Sequence, residues 1–291
     1  MKIVNIFLRA LLLVLIFFAV MGIYVWRIEP RWVEYNYLDM PIKNLPDSLQ
    51  NKTLIQLSDI HIGETVNEDF IIKKFKEVNK LKPEIVVYTG DFISVVRKNE
   101  APFDQLEEAL KHEAKGKLAT IAILGNHDYG ILARNGPRAD SLVTILESYG
   151  ITVLRNDSLK VHGLNIIGID DYWGRNFRPK KAMTKYHQDD ANLILVHNPD
   201  VCDLDIWRGY DGWILSGHTH GGQFRLPFRK PPIIPVENKN YDSGLKHLAD
   251  GRTLYINKGL GHSIRVRFNV RPEIAAFKLM KKGRNKISTL I

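Results

Sequence analysis

The amino-acid sequence predicts an α/β domain, with layers of helix around a largely parallel or mixed sheet, behind an N-terminal transmembrane helix. Two patterns predict the domain: short β-branched apolar runs recur along the chain, and segments with helical spacing of apolar residues alternate with them. A long apolar stretch at the N-terminus predicts the membrane helix. About 250 residues follow that stretch, enough for one large domain with a substantial core.

The N-terminal stretch is apolar almost throughout as far as Trp26. Its uncharged part, Ala10–Trp26, has 17 residues, which is at the short end for a membrane-spanning helix. A cleaved signal peptide is the alternative, but only Val20 and Gly22 fit the cleavage positions, and weakly, because bulky residues follow them. We therefore expect residues 1–28 to form an uncleaved, single-pass anchor.

The orientation of this anchor across the membrane stays open. Lys2 and Arg9 precede the apolar stretch, while Arg27 and Arg31 follow it. Positive charge near a membrane helix favours the cytoplasmic side, and here the two sides are nearly balanced. The side of the membrane on which the domain lies therefore does not follow from the sequence.

The rest of the chain divides into three parts. Residues 29–51 contain Pro41 and Pro46 and show little periodicity, so they are predicted as a linker from the bilayer. Residues 52–280 are predicted as the folded domain, and residues 281–291 as a basic C-terminal tail.

Strand and helix patterns alternate through the domain. Five apolar runs are predicted as strands: 53–58, 85–88, 118–124, 192–196 and 212–215. Three segments between them have apolar residues at helical spacing: 69–81, 103–112 and 141–149. Three later runs are predicted as strands of a second sheet: 254–256, 264–268 and 273–279. The pattern indicates a layered α/β domain.

Each of the five strands is followed by side chains of types that bind divalent cations. They are Asp59, His61, Asp91, Asn126, His127, Asp128, His197, His218 and His220. If the five strands belong to one sheet, their carboxyl ends bring these side chains to a common crevice. We also expect Asp59 and His61 to point to the same side, in a continued extended conformation. A single residue of this kind more often forms a turn, or lies in the core with its hydrogen bonds made. Five strand ends together favour a metal site.

The residue types indicate which metals and which reaction. Two divalent cations about 3.5–4 Å apart hold a bridging hydroxide as nucleophile and neutralise the charge of a phosphoryl transition state. Carboxylate, imidazole and amide oxygen suit two such ions; manganese is favoured, with iron and zinc as alternatives. The lone Cys202 excludes an intramolecular disulfide, and the chain has no thiolate cluster for a structural zinc.

The net charge of +9 suits anionic partners, although a solvated basic surface explains it equally well. One basic cluster, Arg225 with Arg229 and Lys230, is interleaved with apolar residues just after His220. This combination would suit a lipid phosphate beside the metals. The other cluster is the tail: Lys281, Lys282, Arg284 and Lys286. No nucleic-acid-binding motif is recognised, so we expect no nucleic-acid partner.

The motifs D-x-H, G-D, G-N-H-D, H and G-H-x-H, between about residues 52 and 279, resemble those of the calcineurin-like metallophosphoesterases. The resemblance implies a four-layer αββα sandwich of two mixed sheets flanked by helices, with two metals at one edge. It implies that Asp59, His61 and His220 hold the first metal, that Asn126, His197 and His218 hold the second, and that Asp91 bridges them. It also implies that His127 stands near the leaving group as proton donor or transition-state stabiliser, and that Asp128 orients His127.

A narrower resemblance is carried by four segments: His197-Asn198-Pro199-Asp200, Gly217-His218-Thr219-His220-Gly221-Gly222-Gln223, Asn257-Lys258-Gly259-Leu260-Gly261 and Arg271-Pro272-Glu273-Ile274. These segments are similar to those of a membrane-associated or exported bacterial branch, which includes cell-wall phosphoesterases and UDP-2,3-diacylglucosamine hydrolases of lipid A biosynthesis. The branch implies an enzyme of the bacterial inner membrane.

Three functions follow from these observations. The favoured one is hydrolysis of a phosphoester or pyrophosphate bond in a lipid-linked or envelope substrate. The second is the same chemistry on a soluble nucleotide, phosphoprotein or wall-polymer phosphate. The third is an inactive scaffold, which is disfavoured because no ligand position is missing. His262, which follows Gly259-Leu260-Gly261, is the one remaining histidine whose distance from the site needs testing. The sequence gives no oligomeric state.

Overall fold

The computed structural model describes residues 2–63, 65–94, 102–130 and 136–283. The chain begins with helix α1 (Lys2–Ile23), which continues through a π-helical turn (Tyr24–Ile28) into a 3₁₀ turn (Glu29–Arg31). The 30 residues Lys2–Arg31 are long and apolar enough to cross a membrane, and the most apolar part of them is not buried against the domain. A signal sequence has the same length and composition.

The first sheet has six strands in the order β1-β12-β2-β3-β4-β5. Their bounds are β1 Glu34–Ile42, β2 Thr53–Leu57, β3 Ile85–Thr89, β4 Ala119–Ile123, β5 Thr152–Val153 and β12 Glu273–Lys281. Strands β2 to β5 are parallel, β12 is antiparallel to β2, and β1 is parallel to β12. The sheet is therefore mixed.

The second sheet also has six strands, in the order β10-β11-β9-β8-β7-β6. Their bounds are β6 Asp157–Val161, β7 Leu164–Gly168, β8 Ala191–Leu195, β9 Trp213–Ser216, β10 Gly244–His247 and β11 Thr253–Ile256. The four inner strands are parallel, and the two edge strands are antiparallel to their neighbours. A parallel core with antiparallel edges makes this sheet mixed as well.

Three apolar layers hold the sheets and helices together. Residues such as Leu54, Val87 and Leu193 fill the space between the two sheets. Helices α2 (Glu68–Lys80), α3 (Phe103–Leu110) and α4 (Gly136–Ser148) cover the outer face of the first sheet. The outer face of the second sheet is covered by the short helix α5 (Pro179–Ala182), 3₁₀ turns and loops. The predicted four-layer α/β sandwich is confirmed, with a thin fourth layer.

The five predicted strands lie in two sheets, so the expectation of one sheet was wrong. Strands β2, β3 and β4 belong to the first sheet, and β8 and β9 to the second. All five are short and apolar, and they are buried on both faces in this sandwich, so their sequences carry no mark of which sheet they join. The carboxyl ends of both groups nevertheless meet at the same edge of the sandwich.

The segment 29–51 is not only a linker, because it contributes strand β1. This strand lies at the edge of the first sheet and pairs with β12 along its whole length, Glu34 opposite Glu273 and Ile42 opposite Lys281. Its proline, Pro41, suggested a linker, but an edge strand tolerates proline where the missing N–H would face outwards. The sheet of the domain therefore begins well before residue 52.

Two of the late strand predictions also need correction. The run 264–268 is not a strand: Phe268 forms only an isolated bridge with Phe224, and the Arg267 amide donates to the carbonyl of Val25. The run 273–279 is a strand, β12, but it inserts between β1 and β2 of the first sheet. Of the basic tail, Lys281 ends β12 and pairs with Asp47. Arg284 and Lys286 lie outside the described residues.

Candidate metal centre

The two sheets meet where their parallel strands end, and the predicted site residues lie at this junction. The Asp59 amide, after β2, donates to the Gly90 carbonyl after β3 over 2.9 Å, and the Gly217 amide donates to the His197 carbonyl over 3.0 Å. One contact joins the sheets directly: the amide of His218 donates to both carboxylate oxygens of Asp59 at 3.1 Å. The turns after these four strands therefore form one structure.

Five of the seven predicted ligands have left-handed backbone conformations, with φ of 50° at Asp59, 53° at His61, 58° at Asp91, 72° at His218 and 50° at His220. The expected continued extended conformation through Asp59 and His61 was therefore wrong. Such values are uncommon for residues with a Cβ and recur at functional sites, where the surroundings hold them in place. Here tight turns, rather than strand alternation, bring the side chains together.

The first group of predicted ligands is buried and closely packed. The Nε2 atoms of His61 and His220 are 3.0 Å apart, and His220 Nε2 lies 3.3 Å from Asp59 Oδ1. The candidate ligand atoms of these three residues all lie within 4.8 Å of one another. Two imidazoles and one carboxylate face a single point, as three ligands of a divalent cation do.

The second group shares Asp91 with the first. Asp91 Oδ2 lies 3.2 Å from His197 Nε2 and 3.5 Å from His61 Nε2, so one carboxylate reaches both groups. His218 Nδ1 lies 3.3 Å from His197 Nε2. The amide oxygen of Asn126 is buried, lines the same cavity and has no hydrogen-bond partner among the described residues. A buried oxygen in this state is suited to be a metal ligand.

Burial sets the protonation state of three of the four candidate ligand histidines. It lowers the pKa of His61 and His220 well below the ordinary range and that of His218 to about 3. All three are therefore neutral at pH 7, which is the form that coordinates a cation.

Charge pairing dominates at the shared carboxylate. Burial alone would raise the pKa of Asp91 and lower that of His197, but their mutual attraction reverses both directions: the pKa of Asp91 is held well below its usual range and that of His197 well above. Burial also raises the pKa of Asp59 to about 6. Two buried carboxylates that converge with neutral imidazoles fit a site for cations.

Backbone carbonyls fix which ring nitrogen two of the histidines present to the site. His197 Nδ1 lies 2.7 Å from the carbonyl oxygen of Thr89, and His218 Nε2 lies 2.9 Å from that of Pro235. A nitrogen that donates to a carbonyl leaves the other nitrogen free as a ligand. His218 therefore presents Nδ1, and His197 would present Nε2 to a cation that displaces the proton shared with Asp91. These partners were not predicted, because no sequence pattern marks a carbonyl acceptor.

His127 lies at the floor of the cavity, half-buried, with its ring edge-on to His61 at a centroid distance of 4.7 Å. Its amide donates to Asp91 Oδ1 over 2.8 Å. Asp128 was expected to orient the His127 ring, but its carboxylate accepts hydrogen bonds from four backbone amides instead, those of Asp91, Phe92, Ile93 and Gly125. Asp128 therefore fixes the turns that carry Asp91 and Asn126.

The segment 257–262 supports the site from behind. Gly259 has φ of 76°, and a Cβ added there would lie 2.7 Å from the Cβ of Asp59, so only glycine fits. Arg267, fully buried, donates to the carbonyls of Lys258, Gly259 and Gly261. His262 forms no hydrogen bond with any of the predicted metal ligands. Its Nε2 instead lies 3.0 Å from the Thr65 carbonyl oxygen. The glycines were visible in the sequence, whereas the role of Arg267 was not.

A cavity of about 500 Å³ opens above the cluster. Its floor is polar and includes Asp91, Asn126 and His127. Its walls are mainly apolar and include the following side chains: Trp173, Phe224, Ile233, Ile264 and Val266. Trp173, which the sequence analysis did not single out, lies edge-on to His218 at 4.7 Å. The cavity places apolar surface directly beside the metal-binding groups.

These donors fit a pair of divalent cations. The two carboxylates, four imidazoles and one amide oxygen form two groups that Asp91 connects, and carbonyls fix the tautomers of His197 and His218. Carboxylate and imidazole ligands without thiolate suit hard and borderline metals. A four-layer sandwich with such a site at its edge defines a metal-dependent phosphoester hydrolase with a dimetal centre.

Comparison with known proteins identifies the family. The model of the calcineurin-like phosphoesterase family matches residues 52–222, and the chain belongs to this family. The chain is 29% identical to the UDP-2,3-diacylglucosamine pyrophosphatase LpxG of Chlamydia trachomatis, over 88% of this chain and 93% of the relative. It is also 29% identical to the phosphodiesterase YaeI of Escherichia coli K12, over 88% of this chain and 92% of the relative. A Danio rerio transmembrane protein with a metallophosphoesterase domain is 28% identical, over 91% of this chain and 62% of the relative.

Proposed function

We propose that the protein is a membrane-anchored dimetal phosphoesterase that cleaves a phosphoester or pyrophosphate bond of a lipid-linked envelope substrate, such as UDP-2,3-diacylglucosamine. The observation that carries this proposal is the apolar cavity whose floor is the buried cluster of carboxylates and histidines. The similarity to a UDP-2,3-diacylglucosamine pyrophosphatase over most of both chains supports the same substrate class.

The ligand assignment follows the two groups in the structure. Asp59, His61 and His220 would hold the first cation, and Asp91 would bridge to the second. The ligands of the second cation, besides Asp91, would be Asn126, His197 and His218. Manganese is our proposal for the metal, with iron and zinc as alternatives. When bound, such a pair polarises phosphoryl oxygens and lowers the pKa of water enough to supply a nucleophile at neutral pH.

The side chains around this pair have separate tasks. His127 is the proposed catalytic acid, because its ring lies at the cavity floor and its amide is held by Asp91. There it would protonate or stabilise the departing oxygen. Asp128 is a positioning residue, since it holds the backbone amides of the two turns that present Asp91 and Asn126.

The cavity walls support an apolar substrate group. Phe224, Ile233 and Ile264 present large apolar side chains that are partly or largely exposed at the cavity. Transfer of an acyl chain from water onto such a surface is favourable by about 0.8 kcal/mol for each buried CH₂ group. Gln223 and Ser263 add polar groups between the walls and the metal ligands. A substrate with a phosphate at one end and acyl chains nearby fits this division.

The N-terminal helix would keep the enzyme at the bacterial inner membrane as a single-pass protein. Its end is part of the folded domain: Glu29 and Pro30 are buried, and Glu29 Oε1 accepts a hydrogen bond from the Val270 amide over 2.6 Å. Cleavage near Val20 or Gly22 would leave these contacts in place, but both positions fit a cleavage site only weakly because bulky residues follow them. On that ground we propose that the helix is retained, and the relative named as a transmembrane protein supports this.

The test compares two substrates on the detergent-solubilised, manganese-loaded enzyme. We expect kcat/KM for UDP-2,3-diacylglucosamine to exceed that for its deacylated analogue by at least about tenfold, because two or more buried CH₂ groups already provide this difference. Ile233→Ser in the cavity wall should reduce the preference, whereas Leu245→Ser, an exposed leucine on β10, should not. Equal kcat/KM values on both substrates would favour a soluble phosphodiester substrate instead.

A further inference from the structure

The end of the N-terminal helix is fixed to the segment 264–270. The carbonyl oxygen of Val25 accepts a hydrogen bond from the Arg267 amide over 3.0 Å, and the guanidinium of Arg265 lies 5.4 Å from the ring centre of Trp26. Glu29, fully buried, accepts from the Val270 amide. The point at which the helix leaves the domain is therefore set by this segment.

The loop that walls the cavity lies on the other side of the same segment. The Arg225 amide donates to the Phe268 carbonyl, and the Phe268 amide donates to the Gln223 carbonyl, both over 2.9 Å. The rings of Phe224 and Phe268 are 5.2 Å apart. The helix end, the segment 264–268 and the start of the loop 224–233 are therefore successive neighbours on one surface.

This surface exposes large apolar side chains. Phe228 is fully exposed, Ile233 is 78% exposed and Ile264 is 68% exposed, and Leu226 is exposed as well. Ile233 and Ile264 also form part of the cavity wall, so the exposed apolar surface continues into the cavity. An apolar patch of this kind marks a surface that is covered by a partner.

Basic and aromatic residues border the patch at the helix end. The guanidinium of Arg27 lies 4.3 Å from the ring centre of Trp26. Burial, followed by the nearby charges of Arg31 and Arg27, lowers the pKa of the Arg265 guanidinium. Arg229 and Lys230 are exposed directly after Phe228. Tryptophan and arginine are favoured at the level of lipid headgroups, and basic clusters bind acidic ones.

We propose that the loop 224–233 and Ile264 dock onto the same lipid leaflet that helix α1 enters, so that the cavity opens towards the headgroup layer. The partner is an anionic phospholipid surface, because the patch combines apolar side chains with cations and is continuous with the helix end. This inference rests on the proposed function, since it takes α1 as a membrane helix. It gives the substrate a direct path from the leaflet to the metal ligands.

A spin label measures the docking without any use of activity. The native Cys202 is buried, and burial raises the pKa of its thiol, so introduced cysteines are labelled selectively. Phe228→Cys is compared with Leu81→Cys, an exposed leucine that precedes β3 and so lies at the sheet edge opposite the cavity. Each nitroxide-labelled full-length protein is reconstituted in phosphatidylcholine–phosphatidylglycerol vesicles.

We expect the nitroxide at position 228 to be at least about threefold less accessible to a water-soluble nickel chelate than that at position 81, and more accessible to oxygen. Equal accessibility at the two positions would overturn the docking, whatever the enzyme hydrolyses. If instead the wild-type enzyme cleaved no lipid phosphoester while position 228 was protected, the proposed substrate would be wrong and the docking would stand.

A second comparison uses turnover. The double variant Leu226→Ser, Phe228→Ser alters exposed side chains outside the cavity wall, and Leu81→Ser is the matched control. We expect kcat/KM for a vesicle-embedded lipid phosphoester to fall at least about fivefold in the double variant only, with hydrolysis of a soluble aryl phosphodiester unchanged. An unchanged rate on vesicles would contradict the docking.

Discussion

The Nε2 atom of His218 lies 2.9 Å from the carbonyl oxygen of Pro235, which continues the loop 224–233 along the cavity wall. The other ring nitrogen, Nδ1, lies 3.3 Å from His197 Nε2 within the ligand cluster. One histidine therefore joins the metal centre to the loop that would contact substrate and membrane. Because the carbonyl fixes the tautomer of His218, the loop helps to determine the affinity for metal.

Asp91→Asn should abolish most turnover and lower the metal content. Asp91 is the only described carboxylate that reaches both ligand groups, and its replacement by an amide removes charge from between two cations. A loss of several kcal/mol of transition-state stabilisation corresponds to a rate at least about a hundredfold lower. Metal analysis and aryl phosphodiester kinetics measure both effects, with Asp190→Asn in an exposed ion pair as control. Wild-type rate and metal content in Asp91→Asn would exclude a bridging role.

His127→Ala should slow the chemical step while both metals stay bound. The ring of His127 lies at the cavity floor, within reach of His61 and Asp91, but the proposed ligand sets of the two cations are complete without it. Loss of a general acid typically lowers kcat by about 10²–10⁴. Substrates with better leaving groups need less protonation and should be affected less. His247→Ala, an exposed histidine, is the control. Loss of metal from His127→Ala would instead show that His127 is a ligand.

Asp128→Ala should destabilise the fold and reduce metal affinity together. Its carboxylate accepts from four buried amides, and each amide left without a partner costs about 1–3 kcal/mol. Asp128→Asn keeps one acceptor oxygen and should be affected less. Urea unfolding of the metal-free protein gives the free energy of unfolding for each variant. If Asp128→Ala unfolded like the wild type but lost turnover, Asp128 would act on the reaction itself.

His262 should make the metal-free protein less stable in mild acid. Burial, followed by the nearby Arg267, lowers the pKa of His262 to about 4. Below the ordinary pKa of about 6.5, His262 binds a proton in the unfolded chain but not in the folded chain. The contribution of neutral His262 to the free energy of unfolding is therefore complete above pH 6.5 and is lost as the pH falls towards 4. The loss for one such group at pH 5.5 is about 1 kcal/mol.

Urea unfolding at pH 7.5 and pH 5.5 measures this effect. His262→Asn keeps a side chain that can donate a hydrogen bond to the Thr65 carbonyl and does not titrate in this range. We therefore expect the difference in unfolding free energy between the two pH values to be about 1 kcal/mol smaller in His262→Asn than in the wild type. An unchanged difference would show that His262 is protonated equally in the folded and unfolded states.

The sequence predicted several strands because they leave local patterns, and the proposed ligands that follow those strands lie close together in the structure. The β-branched run before Asp91 and the apolar run before Asn126 are strands β3 and β4, as predicted. The distribution of strands between two sheets could not be predicted, since a short strand buried on both faces has the same composition in either sheet. Strand β1 was missed for another reason: its proline reads as a loop signal, and only the pairing with β12 makes it a strand.

The supporting contacts of the site were less predictable than its ligands. Asp128 was chosen for its place beside His127, but its carboxylate serves the backbone amides of the turns. Arg267 belongs to no recognised sequence motif. Its role depends on the backbone carbonyls of the segment 257–261, which accept its hydrogen bonds. Side-chain types at strand ends indicate chemistry, whereas the tertiary partners that hold them depend on long-range packing.

The central claim is that this cluster binds two divalent cations that hydrolysis requires. The direct measurement is a titration of the chelated, full-length protein with Mn²⁺, in which bound metal and aryl phosphodiester turnover are followed on the same samples. We expect turnover to be absent in the metal-free protein and to rise to its maximum as the second equivalent binds. Asp91→Asn should bind fewer ions under the same conditions. Full turnover at one bound ion or fewer would contradict the paired-metal account.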